Sequence, residues 1–181
     1  EDGIRDYKVT GVQTCALPIS PEPFCILSLP IPNKANISLY DCLDFYCLFE
    51  KLDGENAWYN EKTKSKQDVK KGIVFWSLPN ILIIDLKRFT NFNKKINNII
   101  DIPINDVDLS KYVKGYNAES YIYDLFGICN HSGNCNGGHY TAYVKNANNK
   151  WYEFNDTLVN EIQEKNVISE KSYCLFYRKK K

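Results

Sequence analysis

Two histidines occur in the 181 residues, His131 and His139, and both lie in one Asn- and Gly-rich stretch. His139 follows Gly137-Gly138 at the head of an apolar segment, where absent side chains let another backbone or a substrate approach closely. Sixteen residues on, past Asn146-Ala147-Asn148-Asn149, stands Asn155-Asp156. A hairpin folded about that Asn-rich turn brings position 139 opposite residues 154 to 156, so an amide or carboxylate there holds the imidazole through Nδ1–H. This is a base with its orienter, the pair that activates a nucleophile. Taken alone, the placement suits a structural histidine as well, and spacing leaves both readings open. Thiols are plentiful: cysteines stand at 15, 25, 42, 47, 129, 135 and 174, an odd number with no regular framework. Gln13-Thr14-Cys15 imitates an oxyanion donor ahead of a nucleophilic thiol.

The elements that must position these groups are short. Phe24 to Pro30, an apolar run closed by prolines, predicts a strand near a sheet edge. Ser38, with Asp41 three residues on, predicts a capping box ahead of a helix that ends before Gly54. Its stripe of Leu39, Cys42, Leu43, Tyr46 and Cys47 reads as core packing. Asn56 to Lys71 reads as a hairpin with a solvated, lysine-rich tip. Ile81 to Phe89 predicts a strand covered on both faces, with a loop over Asn91 to Asn98. Ile100, Ile102 and Ile104 alternate as a half-buried strand, followed by a turn or short helix at Leu109 to Tyr112. Then comes a meander: Tyr121 to Cys129, a long loop over Asn130 to Gly138, His139 to Val144, Trp151 to Phe154, and finally Ser172 to Tyr177.

Composition bounds the rest. With 44% hydrophobic and 25% charged residues the chain is globular, and 23 basic against 22 acidic residues provide no field for nucleic acid or a membrane surface. No apolar run reaches membrane-spanning length and no leader pattern opens the chain. Scattered cysteines among apolar neighbours suit reduced thiols in an intracellular protein, cytoplasmic or nuclear. Residues 1–19 stand apart: no hydrophobic period fits them, and they resemble a translated short-read sequencing adapter, Tyr7-Lys8 falling in its sample index. They are read as an artefact without biological role, Cys15 included. With no methionine present, the remaining chain reads as a fragment.

Gly137-Gly138-His139-Tyr140-Thr141-Ala142-Tyr143, then Trp151 to Asp156 and Val159, closely resemble the His box of the ubiquitin-specific proteases. Further matches follow the family order: Leu27 to Pro32 (LSLPIP), Leu52 to Tyr59 (LDGENAWY), Leu78 to Phe89 (LPNILIIDLKRF) and Tyr173 to Tyr177 (YCLFY). The resemblance implies an α+β, papain-like fold with a mostly antiparallel sheet. Residues 20–181 would be the C-terminal half of the catalytic domain, with fingers about 38–76, palm for the rest, and the thumb missing. It implies a cysteine-type deubiquitinating peptidase that cuts the isopeptide bond after ubiquitin's C-terminal glycine, with ubiquitin and ubiquitinated proteins as partners.

Carried over by position, His139 matches the catalytic base, Asn155 the third triad member, and Asp156 a supporting acid or backup orienter. The Asn130 to Gly138 loop matches the blocking loop over the ubiquitin tail, with Gly137 and Gly138 in it and Phe89, His131 and Tyr140 lining the tail site. Two departures stand out. No Cys box matches, and Cys135, four residues before His139 on a loop, is badly placed to replace it; the chain by itself is expected to be inactive. The family's later zinc-binding CxxC falls on Asn60 and Thr63, so no metal and no cofactor are expected. The alternative implied is a catalytically dead ubiquitin-binding module.

Overall fold

Helix α1, Leu39–Tyr46, is started by a reciprocal pair. The Ser38 hydroxyl accepts from Asp41 N at 3.2 Å, and the Asp41 carboxylate accepts from Ser38 N at 2.8 Å, satisfying donors a helix start leaves open. Lys34, 2.7 Å from Asp41, and the Ser38 hydroxyl hold that carboxyl well below the usual carboxylate range. Leu39, Cys42 and Leu43 are buried on one face; Cys47 caps the C-terminus.

The computed structural model describes residues 21–115 and 120–180; Gln13-Thr14-Cys15 and the rest of 1–19 lie outside them. The strands in chain order are β1 (Leu27–Leu29), β2 (Ile37–Ser38), β3 (Glu50–Leu52), β4 (Trp58–Asn60), β5 (Ser65–Gln67), β6 (Val69–Lys71) and β7 (Ile81–Leu86). There follow β8 (Ile100–Asp101), β9 (Val107–Asp108), β10 (Ile122–Asn134), β11 (Gly137–Lys145), β12 (Trp151–Asn155), β13 (Leu158–Ile162) and β14 (Ser172–Lys179). The main sheet runs β1-β7-β14-β10-β11-β12-β13, with β9 also on β10. Only β1–β7 is parallel within it; the rest is antiparallel, as expected.

One face of this sheet packs on α1. Leu27 and Leu29 of β1, Leu82, Ile84 and Leu86 of β7, Leu125 and Ile128 of β10, and Leu175 and Tyr177 of β14 are buried with Leu39, Cys42 and Leu43. The two buried tyrosine hydroxyls find carbonyls: Tyr177 donates to Pro103 O at 2.9 Å, Tyr123 to Pro79 O at 2.7 Å. Period-two alternation explains why the opposite face stays half open: Ile83 and Asp85 of β7 are only partly covered. The expectation of cover on both faces therefore fails. The apolar run at 81–84 reflects a strand inside a sheet, between β1 and β14, with one packed side.

Three further expectations change. The long loop over Asn130 to Gly138 does not exist as such: β10 continues to Asn134 and β11 starts at Gly137, leaving Cys135-Asn136 as the turn. Turn-forming residues here are overridden by a ladder that pairs Asn130 with Thr141, Ser132 with His139 and Asn134 with Gly137. The Ile100 to Ile104 strand shrinks to two residues, since Pro103 lacks the donor to continue it, although Ile100 and Ile102 are buried as alternation requires. β13 was not anticipated at all.

The lysine-rich hairpin forms as β4–β5, braced by the β3–β6 pair. Its tip is tied by hydrogen bonds around Asn60 and Thr63, the two positions that the resemblance aligns with zinc ligands. The buried Asn60 accepts from Lys62 N at 2.9 Å and donates to Gln67 Oε1 at 3.1 Å. Thr63 Oγ1 lies 2.9 Å from Ser65 Oγ and accepts from Gln67 Nε2 at 3.3 Å.

Candidate active site

β11 and β12 pair antiparallel, with Ala142 opposite Phe154 and Lys145 opposite Trp151. The turn between them is closed by Asn149 N donating to Asn146 O at 2.9 Å, with Asn149 in the left-handed region at φ 61°. Three residues before the first of these pairings, His139 reaches across the strands, and its Nε2 lies 2.7 Å from Asn155 Oδ1. Oδ1 only accepts, so Nε2 carries the hydrogen and Nδ1 keeps a free lone pair as base. The sequence reading had the amide holding Nδ1–H; the geometry reverses the nitrogens.

Asn155 is fixed from its other side as well. It pairs with Leu158 across a two-residue turn, and Asp156 takes a left-handed φ of 50° there, a conformation Asp tolerates. Asp156 Oδ2 stands 3.9 Å from His139 Nε2, with 78% of its side chain exposed against 50% for the histidine. At that exposure and distance Asp156 supports a protonated ring only weakly, so Asn155 is the principal orienter.

Tyr140, the next residue of β11, belongs to an aromatic wall built around His131. The His131 ring centroid sits 4.7 Å from Tyr140, 5.6 Å from Phe89 and 5.8 Å from Tyr173, and Phe89 meets Tyr173 at 6.2 Å. Tyr140 is 56% exposed and Phe89 half-buried, whereas His131 is 3% exposed and forms the backing of the wall. Burial, then the Lys95 charge, pushes the His131 imidazole below its ordinary value, and its Nδ1 has no partner. Gly138 is obligatory here, because a Cβ would fall inside contact distance of the His131 ring and Ser132 O; at Gly137 nothing lies within 4 Å. The close approach expected at Gly137-Gly138 is thus made by His131 at one of the two. Tyr173 was overlooked as a wall residue, although its place one residue before Cys174, opposite Cys129, puts it near His131. Arg88 and Lys95 were overlooked too; Lys95 donates to His131 O at 2.5 Å.

No cysteine among the described residues hydrogen-bonds His139. Burial pushes the thiols of Cys42 and Cys174 up to about 11, and raises Cys47 and Cys129, the opposite of an activated nucleophile. Cys135 at the β10–β11 tip donates to Asn93 O at 3.6 Å. Among the described residues no group of three or more His, Cys, Asp or Glu is arranged to hold a metal ion, and no helix is long and apolar enough to cross a membrane.

A mostly antiparallel sheet packed on one helix, with a histidine held by an amide across adjacent strands, is the arrangement of a papain-like fold. Residues 33–177 match the family model for ubiquitin carboxyl-terminal hydrolase, and the chain belongs to that family. It is 40% identical over 151 residues to ubiquitin carboxyl-terminal hydrolase 10 of Arabidopsis thaliana, covering 81% of this chain and 16% of that protein. Human ubiquitin carboxyl-terminal hydrolase 15 is 38% identical over 152 residues, covering 82% and 16%. The chain therefore spans about a sixth of the length of these curated relatives. Among solved structures, it superposes on a chain of the SAGA DUB module of Ubp8, Sgf11, Sus1 and Sgf73 bound to monoubiquitin with TM-score 0.76 and 34% identity, covering 88% of this chain and 36% of that one. For the same module bound to ubiquitin aldehyde the TM-score is 0.73 at 32% identity, covering 87% and 36%.

Proposed function

We propose that this chain supplies the histidine half of a cysteine-type deubiquitinase that hydrolyses the amide or isopeptide bond after the C-terminal glycine of ubiquitin. The observation that carries it is the 2.7 Å contact between His139 Nε2 and Asn155 Oδ1. Residues 20–181 would be palm, with fingers over about 38–76, and residues 1–19 no part of the natural protein. The nucleophilic thiol comes from outside the described residues.

In that reaction His139 Nδ1 takes the thiol proton, and the thiolate attacks the glycine carbonyl to form a tetrahedral oxyanion. The imidazolium passes its proton to the departing lysine amine, leaving a thioester between the enzyme and ubiquitin. His139 then takes a proton from water, whose oxygen adds to the thioester, and collapse frees the carboxylate and thiol. Throughout, Asn155 accepts from Nε2–H and keeps the ring in plane, but as a neutral amide it stabilises the imidazolium less than a carboxylate would. Asp156 assists at longer range. Gly137 and Gly138, His131, Tyr140 and Phe89 border the narrow passage for the glycine-rich ubiquitin tail. An electrophile placed at the C-terminus of ubiquitin tests the reading: a longer product of the same gene that contains the thiol should form the adduct, and its His139→Ala variant should do so at least a hundredfold more slowly. Adduct formation unaffected by that substitution would overturn it.

A further inference from the structure

We propose that Arg88 is a positioning residue whose buried guanidinium pins loop 89–98 to the start of β14 and so sets the aromatic wall against which the ubiquitin tail lies. This rests on the deubiquitinase reading above. Arg88 is fully buried, yet every hydrogen bond recorded for it goes to a carbonyl. Nε donates to Ser172 O at 2.7 Å, and Nη1 donates to both Ile96 O and Asn98 O at 2.9 Å. A buried cation whose hydrogen bonds all go to dipoles is costly, the Glu170 charge offsets that burial without forming an ion pair with it, and Nη2 is left unpartnered. What only arginine provides is geometry: a planar fork that reaches in two directions at once from one rigid group.

The segments it joins are those that carry the wall. Arg88 precedes Phe89, and its own carbonyl accepts from Ile96 N at 2.7 Å, while Phe89 bridges to Lys95. Ser172 precedes Tyr173 on β14. Lys95, inside the pinned loop, donates to the carbonyl of His131 on β10. Three chain segments, each bearing one ring of the Phe89, Tyr173 and His131 cluster, are therefore tied around one guanidinium and its neighbouring ammonium. Burial, then the Arg88 charge, lowers the proton affinity of Lys95, so two cations are held close here at some expense. Their common product is the fixed orientation of the wall, on which Tyr140 rests 6.4 Å from Tyr173.

The test compares Arg88→Lys with the unsubstituted 181-residue chain by amide hydrogen exchange and by titration of isotope-labelled ubiquitin. Lysine offers its three donors on one nitrogen and cannot reproduce bonds made from two separated ones, Nε to Ser172 O and Nη1 to Ile96 O and Asn98 O, so amides of residues 89–98 should exchange about tenfold faster while β10–β14 core amides stay within about twofold. Ubiquitin affinity should fall about tenfold. Lys95→Met, which cuts only the tie to His131 O at a partly exposed site, should shift both readouts the same way by less, and decides the matter if Arg88→Lys does not fold. Unchanged loop exchange, or equal acceleration of loop and core, would overturn the positioning role. If the unsubstituted chain leaves ubiquitin unperturbed, the role of the wall in holding the ubiquitin tail falls, while the exchange comparison still decides whether Arg88 orders the wall and the adduct test above still decides the deubiquitinase reading.

Discussion

His139 and Asn155 sit on neighbouring strands, and with Asn155 Oδ1 accepting, the hydrogen between them belongs to Nε2, which leaves Nδ1 with the lone pair that the proposed reaction needs. Replacing Asn155 by Ala should lower kcat of the intact, thiol-bearing enzyme by about 10²-fold or more, because the ring loses both its orientation and its tautomer. Asn155→Asp should keep turnover and move the acidic limb of the pH–rate profile upward. A carboxylate favours the imidazolium, so the neutral base appears only at higher pH. Steady-state kinetics across pH read both, and a limb moving downward would contradict the assignment.

Gly138→Ala should cost about 1–3 kcal/mol, because its Cβ has no room between the His131 ring and Ser132 O. Gly137→Ala, which meets open space, serves as the control and should change the denaturation midpoint little. Equal effects of the two substitutions would mean the wall yields.

Stability should depend on pH through His131. Its imidazole, depressed by burial, stays neutral in the folded chain where the unfolded chain already takes up a proton. Stability is therefore intact above the ordinary histidine range, about 6.5, and declines as pH falls below it. Thermal midpoints should drop between neutral and mildly acidic pH, and drop less in His131→Phe, which keeps a ring against Tyr140 and Tyr173. Identical slopes would exclude His131 as the source.

Asn60→Ala should destabilise the β4–β5 hairpin by about 1–2 kcal/mol through loss of its bonds to Lys62 N and Gln67. Neither zinc nor a chelator should move the thermal midpoint, which differential scanning calorimetry checks directly.

The 181-residue chain should not release a fluorophore from the C-terminus of ubiquitin. Removing residues 1–19 should change neither its thermal midpoint nor its ubiquitin binding. Turnover that disappears in Cys15→Ala would overturn both the expectation of inactivity and the reading of that segment as an artefact.

What the sequence disclosed followed physical signal strength. The Ser38–Asp41 box and the turn at Asn146 to Asn149 are local, and each formed as expected. The pairing of His139 with Asn155 needed only the length of one hairpin. Cross-strand facts were harder to read. Asn130 to Asn134 looked like a loop because its residues favour turns, yet backbone pairing with β11 made it strand. β13 has only faint alternation and is held by its register with β12. Arg88 stands in an apolar strand pattern that gives no hint of three carbonyls converging from positions 96, 98 and 172.

His139 is held by its pairing with Ser132 of β10, and Asn155 by its pairing with Leu158 across the turn at Asp156, so two different ladders of one sheet set the spacing of the proposed base and its orienter. The contact between them is therefore complete within residues 131–158, and a substitution in either ladder would be felt at the histidine ring.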